Sequence, residues 1–192
     1  NMVGGGGGIK LVSIAVTTPP TKTRYLSGES FDPAGMVVTA TYSNGAKLAA
    51  TGYAVEPSGP LLDGVTSVTI RYTEGVTASQ AVTVIPKLVS IAVTTPPTKT
   101  AYRYGEAFSA AGMVVKATYT DGSTAAVLDY TYPTTNFSTL GRQVMKLEYT
   151  YEGVTKSVDL AVTVQGKTIA VPTQTNIPTY NGSDKTPSWN GY

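Results

Sequence analysis

The sequence predicts an all-β protein built as two tandem antiparallel β-sandwiches, and three observations carry that expectation. The fourteen residues KLVSIAVTTPPTKT beginning at Lys10 recur letter for letter at Lys87, 77 positions later. Apolar and polar residues alternate with the two-residue period of a half-buried strand, and no window holds a helical period. Turn dipeptides ending in glycine punctuate the chain at strand-length intervals.

Each element follows from its residues. Leu11–Thr17 and Leu88–Thr94 are rich in β-branched residues on alternating positions, which suits a strand with one buried face. Pro19-Pro20 and Pro96-Pro97 stop these strands, because proline donates no ladder hydrogen bond. The segments SGESFDPAGMVVTATYSNG and YGEAFSAAGMVVKATYTDG then place Val38, Ala40 and Tyr42 on one strand face and Val37, Thr39 and Thr41 on the other. Asn44-Gly45 and Asp121-Gly122 predict hairpins closed by turns with positive φ at both central residues. Further on, Val68, Ile70 and Tyr72 alternate with Thr69 and Arg71, and Met145, Leu147 and Tyr149 alternate with Lys146 and Glu148. Glu74-Gly75 and Glu152-Gly153 mark turns into last strands ending AVTV at Val84 and Val164. The offset between copies grows from 77 to 80 over these strands, so small insertions fall there. Each copy should hold six or seven short strands.

Composition limits the chemistry. The hydrophobic fraction of 41% and a mean hydropathy of zero fit a soluble chain with a core, and no run reaches the length of a membrane helix. Net charge is +2, with five basic and five acidic residues in 10–86 and seven and six in 87–166, so no basic patch for nucleic acid stands out. There is no Cys and no His, which excludes thiol nucleophiles, imidazole bases, disulfides and Cys/His zinc sites. No metal or cofactor is expected. Asp32, Asp63, Asp121, Asp129 and Asp159 are scattered among turns and gather into neither a calcium loop nor a glycosidase pair.

The order of strand, proline break, GExFxxAGMVVxATYxxG and closing YxEGVTxS…AVTV resembles the bacterial immunoglobulin-like (Ig-like) domains of the group 3 type, over Lys10 to about Gln165 in both copies. That resemblance implies repeated, non-enzymatic modules of bacterial surface proteins and adhesins, also found in phage virions. It brings no catalytic residues with it. A Lys–Asn isopeptide crosslink of the kind found in surface Ig-like domains is not expected, since Asn44 lies in a turn and Asn136 in a loop.

The expected organisation is a Gly-rich leader over 1–9, a first Ig-like domain over 10–86, a second over 87–166, and residues 167–192 as the truncated start of a third β module or a solvated tail. Only Ile85-Pro86-Lys87 joins the two domains, which predicts a stiff two-domain rod. The opening NMVGGGGGIK lacks the features of a signal peptide. Taken with a start at Met2, that favours a phage virion protein, while the family's commoner home favours the bacterial cell surface, and both settings stay open. Tyr25, Tyr42, Tyr53 and Tyr72 have counterparts at Tyr102, Tyr119, Tyr130 and Tyr149, which marks shared packing. Tyr104, Tyr132 and Tyr151 belong to the second copy alone and are the candidate ligand-binding residues, since tyrosine joins an apolar face to a polar tip. Lys22 and Lys99 read as solvated and neutral to stability. The function expected is a structural or adhesive spacer, with a carbohydrate-binding accessory module of a secreted enzyme as the alternative. The partners are then cell-surface glycan or other surface or virion proteins.

Overall fold

A computed structural model describes residues 8–166 of the chain. The leader through residue 7 and the segment 167–192, including the expected third module, lie outside the described residues. Within them the protein is all-β, and helical backbone is limited to one 3-10 turn at Thr73–Gly75.

The first copy holds β1 (Leu11–Thr18), β2 (Arg24–Leu26), β3 (Val37–Tyr42), β4 (Lys47–Ala49), β5 (Ala54–Glu56), β6 (Ser67–Arg71), β7 (Thr77–Ala81) and β8 (Thr83–Ile85). The second holds β9 (Leu88–Thr95), β10 (Ala101–Arg103), β11 (Val114–Tyr119), β12 (Thr124–Val127), β13 (Gly141–Tyr151) and β14 (Val154–Gln165). One sheet of each sandwich is the antiparallel trio β1-β3-β4 or β9-β11-β12. The facing layer is β5-β6-β7 with the pair β2-β8 in the first copy, and β10-β14-β13 in the second. Both β2-β8 and β10-β14 are parallel, unlike every other pairing. The first and ninth strands bulge at matching places, after Leu11 and Leu88 and again near Val16 and Val93. Copied sequence gives copied irregularity.

Alternation maps onto burial as the strand period requires. Val38 and Ala40 are buried at 2% and 1% exposure, Val68 and Ile70 at 0%, and Met145, Leu147 and Tyr149 at 8% or less. The shared AGMVV glycine has its own cause. Gly35 and Gly112 sit at φ +78° and +75°, and a Cβ there would stand 2.9 and 2.7 Å from the Thr21 and Thr98 methyls. Those threonines follow the Pro-Pro break and are fastened by their N–H groups to the carbonyls of Ala34 and Ala111.

One sequence expectation is corrected. Asn44-Gly45 and Asp121-Gly122 do form hairpin turns, but only the glycines take positive φ, +81° and +80°. Gly45 N–H donates to Tyr42 O and Tyr42 N–H to Ala46 O, the three-residue form with the glycine as bulge. The reason is local: Asn44 and Asp121 use their side-chain oxygens to accept the N–H of Ala46 (3.0 Å) and Ser123 (2.9 Å), which suits a right-handed backbone. Positive φ at two successive residues occurs instead at Glu74-Gly75 and Glu152-Gly153.

Lys22 and Lys99 keep side chains 43% and 45% exposed, and each also has fixed partners. Their ammonium groups lie 4.9 and 5.0 Å from the ring centroids of Tyr25 and Tyr102 and pair with Glu29 and Glu106. Both tyrosines are 1% exposed, donate to the carbonyls of Lys22 and Lys99, and accept the N–H of Asp32 and Ser109. Glu29 and Glu106 also accept the N–H of Leu26 and Arg103 at 2.7 Å. The Glu29 carboxyl is held below the usual carboxylate range chiefly by the Leu26 N–H and then by Lys22. For Glu106 the Lys99 hydrogen bond comes first and the Arg103 N–H second. The GE dipeptide of each copy is thus a knot tying turn, lysine and buried ring.

Candidate functional site: the joint between the copies

Chain passes from the first sandwich to the second through Pro86 and Lys87, between β8 and β9. Lys87 is fixed at both main-chain groups by one residue. Its N–H donates to Thr120 Oγ1 at 2.9 Å, and its carbonyl accepts Thr120 N–H at 3.0 Å. Lys10 and Ser43 repeat this clamp at the start of the first copy. At the joint the Thr120 hydroxyl does one thing more and donates to Asp63 Oδ1 of the first copy at 3.1 Å.

A second strut stands beside it. The Arg24 guanidinium on β2 donates both terminal N–H groups to Glu152, at 2.9 and 2.7 Å, a bidentate fork joining residues 128 apart in sequence. Glu152 reaches this position because it occupies the positive-φ turn between β13 and β14, at φ 47°. The hydrogen bond to Arg24 is the main reason the Glu152 carboxyl lies below its ordinary value, and the same bond raises Arg24. The pair stays wet, with side chains 56% and 35% exposed. Lys87 also adds its charge to the field on Glu29 across the joint. The arrangement contains a positive pole on one copy against a carboxylate turn on the other, with a hydroxyl bridge as second contact. Two contacts thus flank the two-residue connection.

Sequence reasoning read the short connection but missed these four side chains. The available signal was a copy-specific difference, Arg24 standing where the second copy has Ala101, opposite a glutamate turn that both copies share.

The tyrosines particular to the second copy do not meet. Tyr104 is 59% exposed, and its N–H binds Gln165 O at the far end of β14. Tyr151 pairs with Val154 at the near end of β14, half-buried, with its ring against Tyr119 at 5.1 Å. That strand is twelve residues long, so its two ends lie roughly 36 Å apart at about 3.3 Å per step. Tyr132 lies between them, half-buried, 5.1 Å edge-to-face from Phe108 and 6.1 Å from Tyr130. No single small ligand spans Tyr104 and Tyr151. Tyr151 instead belongs to the packing of the joint end, beside Tyr149, whose phenol burial and a bond to Tyr119 push up to about 12. Among the described residues no group of acidic side chains could hold a metal ion, and no helix is long and apolar enough to cross a membrane.

The chain is 32% identical over 159 residues, 81% of its length, to pectate lyase L of Thermoclostridium stercorarium, and it spans only 13% of that protein. Among solved structures, the S-layer protein rSbsC aligns at TM-score 0.31 and 16% identity, covering 83% of this chain and 29% of the other. Domains 4 and 5 of the S-layer protein SbsC align at 0.29 and 17%, covering 81% and 98%. Residues 18–84 and 95–164 each match the bacterial Ig-like domain (group 3), and the chain belongs to that family as a tandem pair.

Proposed function

We propose that the chain is a non-catalytic, extracellular spacer that holds neighbouring parts of a larger bacterial protein at a set distance and angle. The observation that carries this reading is the joint: a two-residue connection braced by the Arg24–Glu152 fork and the Thr120–Asp63 bond. An unbraced linker would let two copies tumble independently. Absence of Cys and His, and titratable groups occupied in surface ion pairs, support a role without catalysis. Placement outside the cell, on the surface or in a secreted protein, is supported by the family and by a relative named as a pectate lyase. That relative also favours a second reading, an accessory region of a secreted carbohydrate-acting enzyme. A place in a phage particle, and partners among surface or virion proteins, remain within the proposal as other settings for the same spacer.

Spin labels placed on the two copies test it. The wild-type chain should give a narrow inter-label distance distribution, and the Arg24→Ala/Asp63→Ala variant a broad one with both copies still folded. A wild-type distribution as broad as the variant's overturns the spacer reading.

A further inference from the structure

Beside β13 the second copy departs from the first. In the first copy β5 forms three ladder pairs with β6, Ala54↔Arg71, Val55↔Ile70 and Glu56↔Thr69. The corresponding segment of the second copy makes one bridge, in which Thr131 and Glu148 exchange N–H···O bonds of 2.8 and 2.9 Å. The next partner across the ladder would be Pro133 against Lys146, two residues along each strand, and proline has no N–H to give. The segment therefore leaves the sheet after Thr131. Because Glu148 turns its main-chain groups toward Thr131, the two-residue alternation turns those of Lys146 to the same side, away from β14.

The gap so formed is a shallow recess of about 240 Å3 lined by Thr131, Tyr132, Pro133, Lys146 and Glu148. Its contents are a ring, a prolyl surface, a hydroxyl, an ammonium 2.8 Å from a carboxylate, and the Lys146 main-chain donor and acceptor. Tyr132 is held in place by Phe108 and Tyr130, so its ring is positioned before anything binds. The first copy has Val55, Thr69 and Arg71 in place of Tyr132, Lys146 and Glu148.

The geometry points to a saccharide-binding site in this recess, which takes one pyranose unit of a neutral polysaccharide. A pyranose offers an apolar face of C–H groups to the Tyr132 and Pro133 surfaces. Its vicinal hydroxyls, each donor and acceptor, match the alternating donors and acceptors of Lys146, Glu148 and Thr131. The sugar is neutral because Lys146 is already balanced by Glu148, with Asp159 opposite it on β14. This site goes beyond the spacer reading and survives its failure, since every residue of it lies in the second copy.

The test uses the whole described pair of domains labelled with 15N and titrated with short β-1,4-linked glucan, xylan, mannan and galactan oligosaccharides. One or more should shift the amides of Thr131, Tyr132, Lys146 and Glu148 with a Kd near or above about 1 mM. Tyr132→Ala should weaken binding roughly tenfold or more, and Tyr132→Phe should retain most of it. Since Tyr132 also packs on Phe108, Lys146→Ala and Glu148→Gln provide rim variants that leave the core alone, and each should weaken binding several-fold. No shifts with any of the four, or shifts mapping elsewhere, overturn the site. So does binding confined to oligogalacturonate and abolished by salt, or to an extended peptide that adds a strand along β13.

Discussion

The two copies share one fingerprint and finish differently. In the first, the β6–β7 ladder stops at Arg71↔Thr77, five residues close the hairpin, and the last strand breaks at Val82 into β7 and β8. In the second, β13 and β14 pair without interruption from Gly141↔Val164 to Tyr151↔Val154, closed by Glu152-Gly153 alone. Tyr151 before the turn and two further residues after it, as the offset rises from 78 at Gly75/Gly153 to 80 at Val84/Val164, make that register possible. The cores follow suit. The first copy has one buried cluster, with Leu61 at 0% exposure and a buried Gln80. The second has two clusters, one around Leu147 and one around Phe137, with Met113, Tyr132 and Leu160 packed against both. Leu61 and Phe137 hold the same place, each bonded through main chain to the GE knot. A longer ladder with more aromatic filling thus carries the same topology, so the fold resides in alternation and turns rather than in particular core side chains.

The largest break in this comparison should come from Phe137→Ala, which empties the centre of the second cluster of the second copy. It should cost about 3–5 kcal/mol, lowering the second copy's thermal transition while the first copy's moves little. Phe137→Leu, the first copy's own solution, should cost less than about 1.5 kcal/mol. Equal losses for the two would mean that the Phe137 site collapses around any side chain.

Next come the glycines. Gly112→Ala combines positive φ with a methyl 2.7 Å from Thr98 and should cost about 2–3 kcal/mol. Gly122→Ala meets open space and should cost only the conformational part, about 1–2 kcal/mol, measured as a shift in urea midpoint. Thr98→Ser should recover part of the loss at Gly112 and none at Gly122.

Arg24→Ala should leave both unfolding transitions within about 0.5 kcal/mol of wild type and change only the spread of inter-copy distances. Raising ionic strength should produce the same spread in the wild-type chain, because the fork is exposed. A melting shift without a change in distances would reassign Arg24 to the first copy's own stability.

The smallest effect is on acidity. Glu29, Glu106 and Glu152 all have carboxyls lowered in the folded chain from an ordinary value of 4.5. Their contribution is complete above that value and disappears as pH falls through the lower folded values, so these three groups weaken the protein in acid, while the raised Tyr149 phenol weakens it in alkali as pH climbs past the ordinary tyrosine value of 10. Glu106→Gln should flatten this acid limb in the second copy, and Glu29→Gln in the first, read by thermal melts from pH 7 to about pH 2.

Much of the fold was legible because alternation and glycine placement are local properties of the chain. The type of the Asn-Gly turn was not, since both hairpin forms need the glycine and only the use made of the Asn44 side chain separates them. The joint was hidden for a different reason. Arg24 and Glu152 are each a single charge among many on strand and turn, and nothing near either in sequence names the other. Period-two reading assigned Tyr104, Tyr132 and Tyr151 to faces, but it carries no information on which end of a strand faces which end of the sandwich.

The parallel pairs β2-β8 and β10-β14 bear on how the chain responds to tension. Pulling on the connection at Pro86 draws β8 along β2, loading Thr83 N–H on Thr23 O, Ser27 N–H on Ile85 O and the three residue pairs between them together. Thr163 on Thr100 and Tyr104 on Gln165 repeat the arrangement at the end of the second copy. Bonds sheared side by side must fail at once, whereas an antiparallel hairpin pulled from its open end unzips one pair at a time. Each copy is therefore built to transmit load through its last strand, and single-molecule pulling through the termini should show two discrete rupture events rather than a gradual extension.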